Sequence, residues 1–592
     1  MDEGVFDVVV IGTGLTESIT AAALSKAGFK VAHLDRNPYY GADEASLSLD
    51  EFIHWTKDSP NGFSLFSRSG NESLPHSRQY SISLSPSVIP STGPLISSLI
   101  SSGVSRYGGF RLIDQIGIYS SSGTVQRVPG NKEDIFKNKN ISLVDKRRLM
   151  RFLMFASGDF EEAKELKGNE TMSFIEFLKR SFSLNDEIAS TITYALGHCL
   201  SASDTTLPTL QRLRRYLRSS GRYGSSPFLV GHYGSSGEIA QGFCRTSAVS
   251  GGVYILGKTI SSITSNASSD SRNYTIHLDD FPEPFTCDLI ISSERHIPDS
   301  LTAHAKQVPA KSDTGSPGTS SYPSVARCVA IIDRPLSFHP TQDEGDLSEE
   351  EVDPTEEDDA LESSASETQT QIPAVDAGVL VFPPSSLSGG SATTFSVTAF
   401  IVGDSTMSTP KEKWIIYIST PVSQDNASSP EEILKPYLDA TLSLARPQPD
   451  SATTPIVPLF TTFYLQSSPV PSSSPSSASP SSNPNPTCLM PPPLPLLPLP
   501  ESPDSAAVNA ESVFWEAVNV LKAIRKARTE SQTVSRAGTG DSGADANAKT
   551  EDQGQSGEEA SGKQEQERET ETEKEIESFW PPIEQNDDEE DF

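Results

Sequence analysis

The first 35 residues contain the feature that most restricts how this chain can fold. An apolar run, Phe6–Ile11, leads into a turn with Gly12 and Gly14, an alanine-rich segment follows, and a second apolar run ends at Asp35. This order of strand, glycine turn, helix and strand is typical of the βαβ unit that opens dinucleotide-binding domains. The N-terminal part is therefore predicted to contain parallel α/β structure.

Position 17 departs from the dinucleotide fingerprint. Close packing of the helix on the strand requires glycine or alanine there, and this chain has Glu17. Its carboxylate would stand where the helix N-terminus otherwise binds a pyrophosphate, and the two negative charges would repel each other. We predict a structural βαβ unit without FAD or NAD. Dinucleotide binding through Gly12, Gly14 and Asp35 stays open as the alternative.

The hydrophobic pattern divides the remaining chain into regions of different secondary structure. Strand-like runs occupy residues 1–127 and return over 228–465, whereas apolar residues at helical spacing prevail over 128–227. We predict an α/β fold, an FAD/NAD(P)-binding-like domain with several sheets, into which an all-helical domain is inserted.

Three segments have the composition of disordered chain. Residues 341–371 are rich in Asp and Glu, residues 466–504 are rich in Ser and Pro, and residues 529–592 are polar and acidic. Between the last two, residues 506–527 have the spacing of an amphipathic helix.

Charge and motif content exclude several functions. A formal net charge of -33 disfavours binding to nucleic acid and direct electrostatic adhesion to anionic membranes. The five cysteines lie far apart, and neither HExxH, nor GxSxG, nor a P-loop occurs. We therefore predict no catalytic residues, no metal site and no cofactor.

Targeting signals are also missing from the sequence. No basic and apolar leader precedes the first strand, no run of about 18 apolar residues occurs, and the last four residues are not a prenylation box. We expect a soluble, cytosolic protein that reaches membranes only transiently; a nuclear pool stays open.

Two long blocks carry a family resemblance. The segment Asp7–Ser18, continued by His33–Gly41, and the segment Pro227–Tyr254 resemble the family of Rab GDP-dissociation inhibitors and Rab escort proteins. The resemblance implies the fold of FAD-dependent enzymes without the flavin, and GDP-bound Rab GTPases as partners.

The resemblance also implies which residues contact the GTPase. The tyrosine, glutamate and arginine of the family fall on Tyr40, Glu238 and Arg245. A tyrosine offers rigid amphipathic area, while a carboxylate and a guanidinium form directional pairs. As alternatives, Tyr40 could pack beneath the turn, and Glu238 could pair with Arg245.

Other features of the sequence distinguish between the two branches of the family, the escort proteins and the recycling inhibitors. The long acidic and Pro-rich additions are unlike the compact recycling inhibitors. The form of Gly242–Arg245 with Cys244, and Phe579–Pro582, resemble escort proteins, whereas Asp35–Gly41 resembles the recycling inhibitors. The escort branch is favoured. It implies presentation of Rab to the Rab geranylgeranyltransferase α/β heterodimer, followed by shielding of the geranylgeranyl lipid and delivery to membranes.

An arginine-rich helix is predicted over Gln211–Arg218. Its clustered arginines, among them Arg215 and Arg218, would form a docking face for another protein in an otherwise acidic chain. The resemblance implies that this partner is the transferase and that Tyr216 is the aromatic anchor. Alternatively, the helix face is solvated and held against the acidic tail.

The inserted helical domain is the candidate lipid carrier. Its aromatic positions Phe152, Phe155, Phe174 and Phe177 exceed the obvious needs of a thin core and are candidates for a lipid groove. The alternative is that these rings form the core of the domain.

Overall fold

The computed structural model describes most of the first 338 residues and several later segments. The described ranges are 4–58, 60–130, 132–138, 141–266, 272–297, 301, 305–310, 324–338, 374–387, 393–423, 428–445, 456–468, 487–538 and 576–582. The acidic insert predicted at 341–371 lies outside these residues.

Twenty-two strands are found in the described part of the chain. In chain order they are β1 Val8–Ile11, β2 Val31–Asp35, β3 Ser46–Leu47, β4 Phe63–Gly70, β5 Ile82–Ser83, β6 Ile89–Pro90, β7 Phe110–Leu112, β8 Gln115–Tyr119, β9 Val125–Arg127, β10 Phe228–Gly231, β11 Val253–Leu256, β12 Ile260–Ser265, β13 Tyr274–Leu278, β14 Phe285–Cys287, β15 Leu289–Ser292, β16 Lys306–Gln307, β17 Ser324–Ile332, β18 Ala377–Phe382, β19 Val397–Val402, β20 Trp414–Val422, β21 Phe460–Ser467 and β22 Cys488–Met490.

The α-helices of the described ranges are numbered in the same way. They are α1 Leu15–Lys26, α2 Leu49–Asp58, α3 Pro94–Ser102, α4 Lys132–Lys137, α5 Leu143–Ser157, α6 Phe174–Phe182, α7 Asp186–Ser190, α8 Thr206–Ser219, α9 Ser236–Val249, α10 Pro430–Leu442 and α11 Glu501–Gly538; a π-helical stretch, Thr191–Leu196, follows α7.

The βαβ unit forms the centre of a parallel sheet. Its six strands lie in the order β11, β2, β1, β15, β22, β16, and every pair is parallel. Strand β1 is buried along its whole length. Helix α1 is buried over eleven of its twelve positions, between the sheet and the helices packed on it, and this explains its run of alanines.

An eight-stranded sheet forms the second layer of the α/β region, in the order β4, β21, β17, β20, β19, β18, β8, β9. The long strands β17 and β20 pair antiparallel at its centre and are buried on both faces over nearly their whole length. One face packs on the helical insert and the other on α10. Helices α4–α8 lie together in the insert, as the sequence predicts. The predicted fold class is confirmed.

The C-terminal part differs from the sequence-based prediction. The α/β region does not end at 465, because β22 adds a strand between β15 and β16. The Pro-rich segment after β22 is largely buried, so the predicted disordered linker at 466–504 is wrong over its second half. The predicted helix 506–527 runs from 501 to 538, and residues 576–582 of the predicted disordered tail pack on the fold. The prediction of disorder from composition failed here because apolar residues distant in sequence bury these proline and leucine side chains.

Candidate protein-binding surface and the filled dinucleotide turn

The glycine turn between β1 and α1 has the backbone geometry of a dinucleotide site. Gly12 has a φ of 92°, which favours glycine. A Cβ atom on Gly12 would also lie 2.9 Å from Cδ2 of His296, so a side chain has no room there. The turn itself is therefore as the sequence predicts.

Two carboxylates of the chain itself fill the space in front of this turn. Oε2 of Glu17 lies 2.6 Å and Oε2 of Glu44 lies 3.0 Å from the position that a Cβ atom on Gly14 would take. The Leu15 N–H donates to Oε2 of Glu44 at 3.1 Å, which is the kind of donor that a pyrophosphate would otherwise receive. The residues present therefore do not fit a dinucleotide.

Burial changes the acidity of both carboxyls. It raises the pKa of Glu17 to about 7, with further upward effects from Asp43 and Asp35. The pKa of Glu44 rises to about 8, first through burial and then through the charges of Asp43 and Glu17. Both groups are thus largely uncharged at mildly acidic pH, and at pH 7 Glu44 remains mostly protonated while Glu17 is about half protonated.

Asp35 is also engaged within the chain. Its carboxylate accepts hydrogen bonds from Thr13 N at 2.8 Å, Thr13 Oγ1 at 2.6 Å and Asn37 N at 2.8 Å. An acid that binds the ribose of a dinucleotide would need free oxygen lone pairs. Here those oxygens hold the glycine turn and the start of the next loop.

A Pro-rich strap, residues 491–499, crosses the same region. A cavity of about 80 Å³ is lined by Glu17, Glu44 and most residues of the strap. The strap is fixed by hydrogen bonds from Arg327 Nη2 to Leu496 O at 3.1 Å and from Asn509 Nδ2 to Pro492 O at 3.1 Å. The chain thus occupies with its own segments the groove that a dinucleotide would need.

Tyr40 and Glu238, two of the residues predicted to contact the GTPase, each lie next to a glycine at a point where two backbone segments approach closely. A Cβ atom on Gly41 would lie only 3.2 Å from the Cα of Gly237, and the φ of Gly41 is 99°. The two glycines bring Tyr40 next to Glu238 at the start of α9. Tyr40 is half-buried, with its ring edge-on to Tyr254 at 6.1 Å, so it packs at the turn and still reaches solvent.

Arg245 lies two turns further along α9, about 10 Å from Glu238 along the helix axis. Both side chains are exposed, and no ion pair joins them in the part of the chain that the structure describes. The alternative that they neutralise each other is therefore wrong. The Arg245 guanidinium instead lies 4.6 Å from the ring centroid of Tyr107.

Three further exposed side chains adjoin these residues and were not found from the sequence. Tyr107 is 64%, Tyr233 is 48% and Met407 is 50% exposed. The Tyr233 N–H donates to Thr406 O at 3.1 Å, which places the turn of Tyr233 beside that of Met407. Tyr233 lies within the block that carries the resemblance; Met407 has no sequence signal, because only the fold brings its loop here. We call Tyr40, Tyr107, Tyr233, Glu238, Arg245 and Met407 the α9 surface.

A family model described as "GDP dissociation inhibitor" matches residues 1–338, more than half of the chain. The chain belongs to the GDP dissociation inhibitor family.

Curated relatives and a solved structure extend the match. The chain is 35% identical over 292 residues to "Rab proteins geranylgeranyltransferase component A" of Drosophila melanogaster, which covers 45% of this chain and 55% of that protein. It is 33% identical over 259 residues to the protein of the same name from Candida albicans, over 42% of this chain and 40% of that one. The chain thus spans about half the length of these relatives. A Rab GDI from Plasmodium falciparum shares the fold, with a TM-score of 0.56, 20% identity and coverage of 87% of this chain and 98% of that chain.

The arginine-rich helix α8 does not form the exposed docking face that its sequence suggests. Tyr216 is only 2% exposed, and its hydroxyl donates to Oε1 of Glu501. Arg215 pairs with Glu501 and Asp504 at the start of α11. Burial raises the pKa of Asp504 to about 7, although Arg215 opposes this effect.

The prediction of Tyr216 as an exposed anchor is therefore wrong for this conformation, because α11 covers its ring. Arg218 remains exposed, 3.4 Å from Asp159, and its role in docking stays a prediction. The helix is held by acidic groups of its own chain, as the alternative supposed, but these belong to α11 and not to the tail.

The four candidate lipid-groove phenylalanines lie in a closed core. Phe152, Phe174 and Phe177 are fully buried, and Phe155 is partly buried against them. The ring centroids of Phe152 and Phe174 are 6.2 Å apart, and those of Phe155 and Phe177 are 6.1 Å apart. These rings fill the inserted domain in this conformation, which is the alternative that the sequence left open.

The described ranges contain five cysteines and several long helices, which are relevant to chemistry and to membrane insertion. No cluster of three or more His, Cys, Asp or Glu side chains there is arranged to hold a metal ion. All five cysteines are buried, and burial raises the pKa of Cys199 and of Cys244 to about 12, which keeps both thiols protonated. None of the described helices is both long enough and apolar enough to cross a bilayer.

Proposed function

We propose that this protein is a Rab escort protein. It binds GDP-bound Rab GTPases, presents them to the Rab geranylgeranyltransferase α/β heterodimer, shields the attached geranylgeranyl group and delivers the lipidated Rab to membranes. Its place of action is the cytosol, with transient contact to membranes. Family membership and the names of the curated relatives support this proposal.

The observation that carries the proposal is the α9 surface on a scaffold whose dinucleotide turn is closed. Glu17 and Glu44 occupy the phosphate position, so the α/β domain has no room for the coenzyme of its structural class. The α9 surface offers an arginine, a carboxylate and exposed aromatic rings, which are the residue types that dominate the energy of protein interfaces. A protein partner suits this surface better than a small molecule does.

The chemistry of prenylation belongs to the transferase in this proposal. The transferase would activate the thiolate of a Rab cysteine, while this chain selects the Rab and brings it close. The buried, protonated thiols of this chain agree with a non-catalytic role.

The attached lipid has to be shielded because its exposure to water is unfavourable. Exposing a chain of roughly twenty carbons to water costs on the order of ten kcal/mol, at about 0.8 kcal/mol per methylene. The phenylalanine core of the inserted domain offers apolar surface of the right kind. Because Phe152, Phe174 and Phe177 are fully buried, lipid binding there requires α5 and α6 to separate.

A recycling Rab GDP-dissociation inhibitor is the second candidate, favoured by the segment Asp35–Gly41. Both candidates bind GDP-bound Rab through the same surface. They differ in whether the transferase is recruited. An FAD-dependent oxidoreductase is disfavoured by the filled turn, and the purified protein should be colourless, without flavin absorbance at about 450 nm.

A reconstituted prenylation assay separates the candidates. Purified transferase, unprenylated GDP-bound Rab and geranylgeranyl diphosphate are mixed with and without this protein. We expect lipid transfer to depend on the protein, and the Arg245→Ala variant to require a higher concentration. No stimulation of transfer, together with extraction of prenylated Rab from membranes, would establish the recycling inhibitor instead.

A further inference from the structure

The eight-stranded sheet buries an arginine on one of its interior strands. Arg327 lies on β17 and is only 2% exposed. Its register partners are Ser419 on β20 and Tyr464 on β21, so the three side chains point to the same face of the sheet. A charged side chain is almost never fully buried unless a partner of opposite charge offsets it. The surroundings of Arg327 therefore matter.

Three neutral acceptors hold the guanidinium of Arg327 in place. Nε donates to Gln466 Oε1 at 2.9 Å, Nη1 donates to Ser419 Oγ at 2.8 Å, and Nη2 donates to Leu496 O at 3.1 Å. A guanidinium has five N–H groups, so one N–H on Nη1 and one on Nη2 remain after these bonds. The three acceptors carry no net charge, so they leave the positive charge of Arg327 without an offset.

No Asp or Glu of the described ranges forms an ion pair with Arg327. Burial lowers the pKa of Arg327 to about 10, and Tyr464 opposes this effect. Arg272 provides a comparison, because burial lowers its pKa too, but the charges of Asp288 and Asp7 outweigh burial and raise it. Arg327 is thus still protonated at neutral pH, and among the described residues it lacks the counter-charge that Arg272 has.

Arg327 lines the cavity between the strap and the filled dinucleotide turn. This cavity of about 80 Å³ has room for about five to eight groups of the size of a water molecule. Thr16 also lines it, and its Oγ1 atom is buried without a hydrogen-bond partner in the described part of the chain. A space of this size and polarity takes a small polar molecule and excludes a dinucleotide.

The other charged groups around the cavity do not supply the missing counter-charge. Arg295 lies 3.2 Å from Asp43, so these two side chains neutralise each other. Glu17 and Glu44 are mostly protonated at mildly acidic pH because burial raises the pKa of both. A protonated carboxyl can donate a hydrogen bond. The described lining thus combines an unpaired cation with further hydrogen-bond donors.

We propose that this cavity is a binding site for a small carboxylate anion, held at its Arg327 end. The two remaining N–H groups of the guanidinium, one on each Nη atom, can donate to the two oxygens of a carboxylate. The anion supplies the counter-charge that the described residues lack. A monocarboxylic acid of about two to four carbons fits the space. This inference does not rest on the proposed function.

The strap separates this cavity from solvent. Its residues 493–496 line the cavity and are only partly buried, so their other side is exposed. The guanidinium that binds the anion also holds the strap, through the bond to Leu496 O. An anion enclosed behind the strap leaves only when the strap opens. Binding of the anion therefore stabilises the closed strap.

Thermal unfolding of the full chain tests the site with acetate as the probe. The protein is unfolded at pH 6, below the pKa of Glu17 and of Glu44, in sodium acetate and in sodium chloride at an equal ionic strength of about 0.15 M. We expect acetate to raise the melting temperature of the wild type over chloride by about 2 °C or more. Acetamide, an uncharged molecule of the same shape, should not raise it. Equal melting temperatures in acetate and chloride would overturn the proposal.

Variants assign the acetate effect to the cavity, because acetate can also stabilise proteins in general. Arg327→Gln removes the charge and should abolish the difference between acetate and chloride. Arg180→Gln removes a charge at an exposed position of α6 and should keep the difference. Ser502→Leu narrows the cavity from the first turn of α11, leaves Arg327 in place and should abolish the difference as well. It decides the question if Arg327→Gln does not fold. An acetate effect of wild-type size in either cavity variant would contradict the proposal.

Binding is measured directly by saturation transfer from the protein to the methyl protons of acetate. We expect a signal with the wild type and with Arg180→Gln, and none with Arg327→Gln or Ser502→Leu. Displacement of acetate by an equal concentration of chloride would make this a halide site and overturn the carboxylate assignment.

Hydrogen exchange followed by mass spectrometry tests the link to the strap. Acetate should slow the exchange of the amides of Leu494, Leu496 and Leu499 by about twofold or more. Exchange in α6, which lies away from the strap, serves as the control and should not change. Unchanged exchange in the strap at saturating acetate would show that the anion does not bind behind it.

Discussion

Glu17 is the residue at which the sequence departs from the pattern of a coenzyme-binding site. The structure shows the consequence of this departure. Its carboxyl fills the phosphate position in company with Glu44, whose distance in sequence gave no warning of this contact. Two buried carboxyls near one helix N-terminus can coexist because burial raises the pKa of each and keeps them largely protonated below pH 7. The same pair makes the stability of the fold depend on pH.

Replacing Glu17 with Gln should flatten that pH dependence. The folded pKa of about 7 lies above the ordinary 4.5, so the native state binds a proton that the unfolded state has lost over this window. The stabilisation is complete below pH 4.5 and is lost as the pH rises towards 7. We expect the free energy of unfolding of the wild type to fall by about 3 kcal/mol across this range through Glu17, and that of Glu17→Gln to fall less.

Chemical denaturation at pH 5, 6, 7 and 8 measures the effect. Glu283→Gln, a change at an exposed loop position, should follow the wild-type curve. Parallel curves for Glu17→Gln and the wild type would show that this carboxyl does not titrate in the window.

Arg245 should contribute to GTPase binding through its exposed guanidinium. Arg245→Ala is expected to weaken the binding of GDP-bound Rab by about 1 to 3 kcal/mol without loss of stability, because the side chain is exposed and lies against the exposed Tyr107 ring. Calorimetry with the purified proteins checks this. Arg180→Ala, a change at an equally exposed arginine of α6, is the control and should leave the affinity intact.

At the scale of elements, α11 joins parts of the molecule that are distant in sequence. Its first turn holds α8 through Glu501, and its middle packs on α1 with Phe514 and Ala517 fully buried. Residues 576–582 return to the same helix. The ring of Phe579 lies 5.2 Å from Phe514. The C-terminal part therefore closes the α/β domain.

Trp580 should stabilise α9 from its inner side. Its ring lies parallel to Phe243 at 5.9 Å, and Phe243 is on the same helix as Arg245. We expect Trp580→Ala to lower the free energy of unfolding by about 2 kcal/mol and to speed amide exchange in α9 and α11. Hydrogen exchange followed by mass spectrometry measures both helices. Phe136→Ala, which removes an exposed ring, should leave both the stability and the amide exchange of these helices unchanged. If Trp580→Ala sped amide exchange equally in all helices, its stabilisation of α9 would not be local.

At the scale of the whole molecule, the α/β domain depends on residues beyond 487. Removing 487–592 deletes β22 and α11 and uncovers several fully buried apolar positions of the parallel sheet and α1. At about 1.5 to 3 kcal/mol for each large side chain, the loss exceeds the usual total stability of about 5 to 15 kcal/mol. We expect this truncated chain to aggregate on expression.

A shorter truncation separates the contribution of α11 to stability from that of residues 576–582. Removing 539–592 keeps α11 and deletes the segment with Phe579 and Trp580, so this chain should fold with a lower melting temperature. Circular dichroism and size-exclusion chromatography distinguish the cases. A folded, monomeric chain 1–486 would contradict the role assigned to α11.

Local features of the sequence were predicted well. The βαβ unit and the helical insert followed from patterns that reflect backbone preference. Features that need partners distant in sequence were missed. Tyr216 carries no local sign that Glu501, 285 residues away, would cover it, and Met407 carries none that its loop would lie beside Tyr233.

The sequence by itself determined that this chain folds around a dinucleotide-type βαβ unit with a carboxylate where a phosphate would bind. Strand and helix periodicity and the identity of residue 17 are local properties, so they can be read without coordinates. Only the tertiary structure decided that Glu44 and a Pro-rich strap complete the closure, and that the phenylalanines of the insert form a core. Burial depends on which segments pack against each other, and that choice is made by the whole chain.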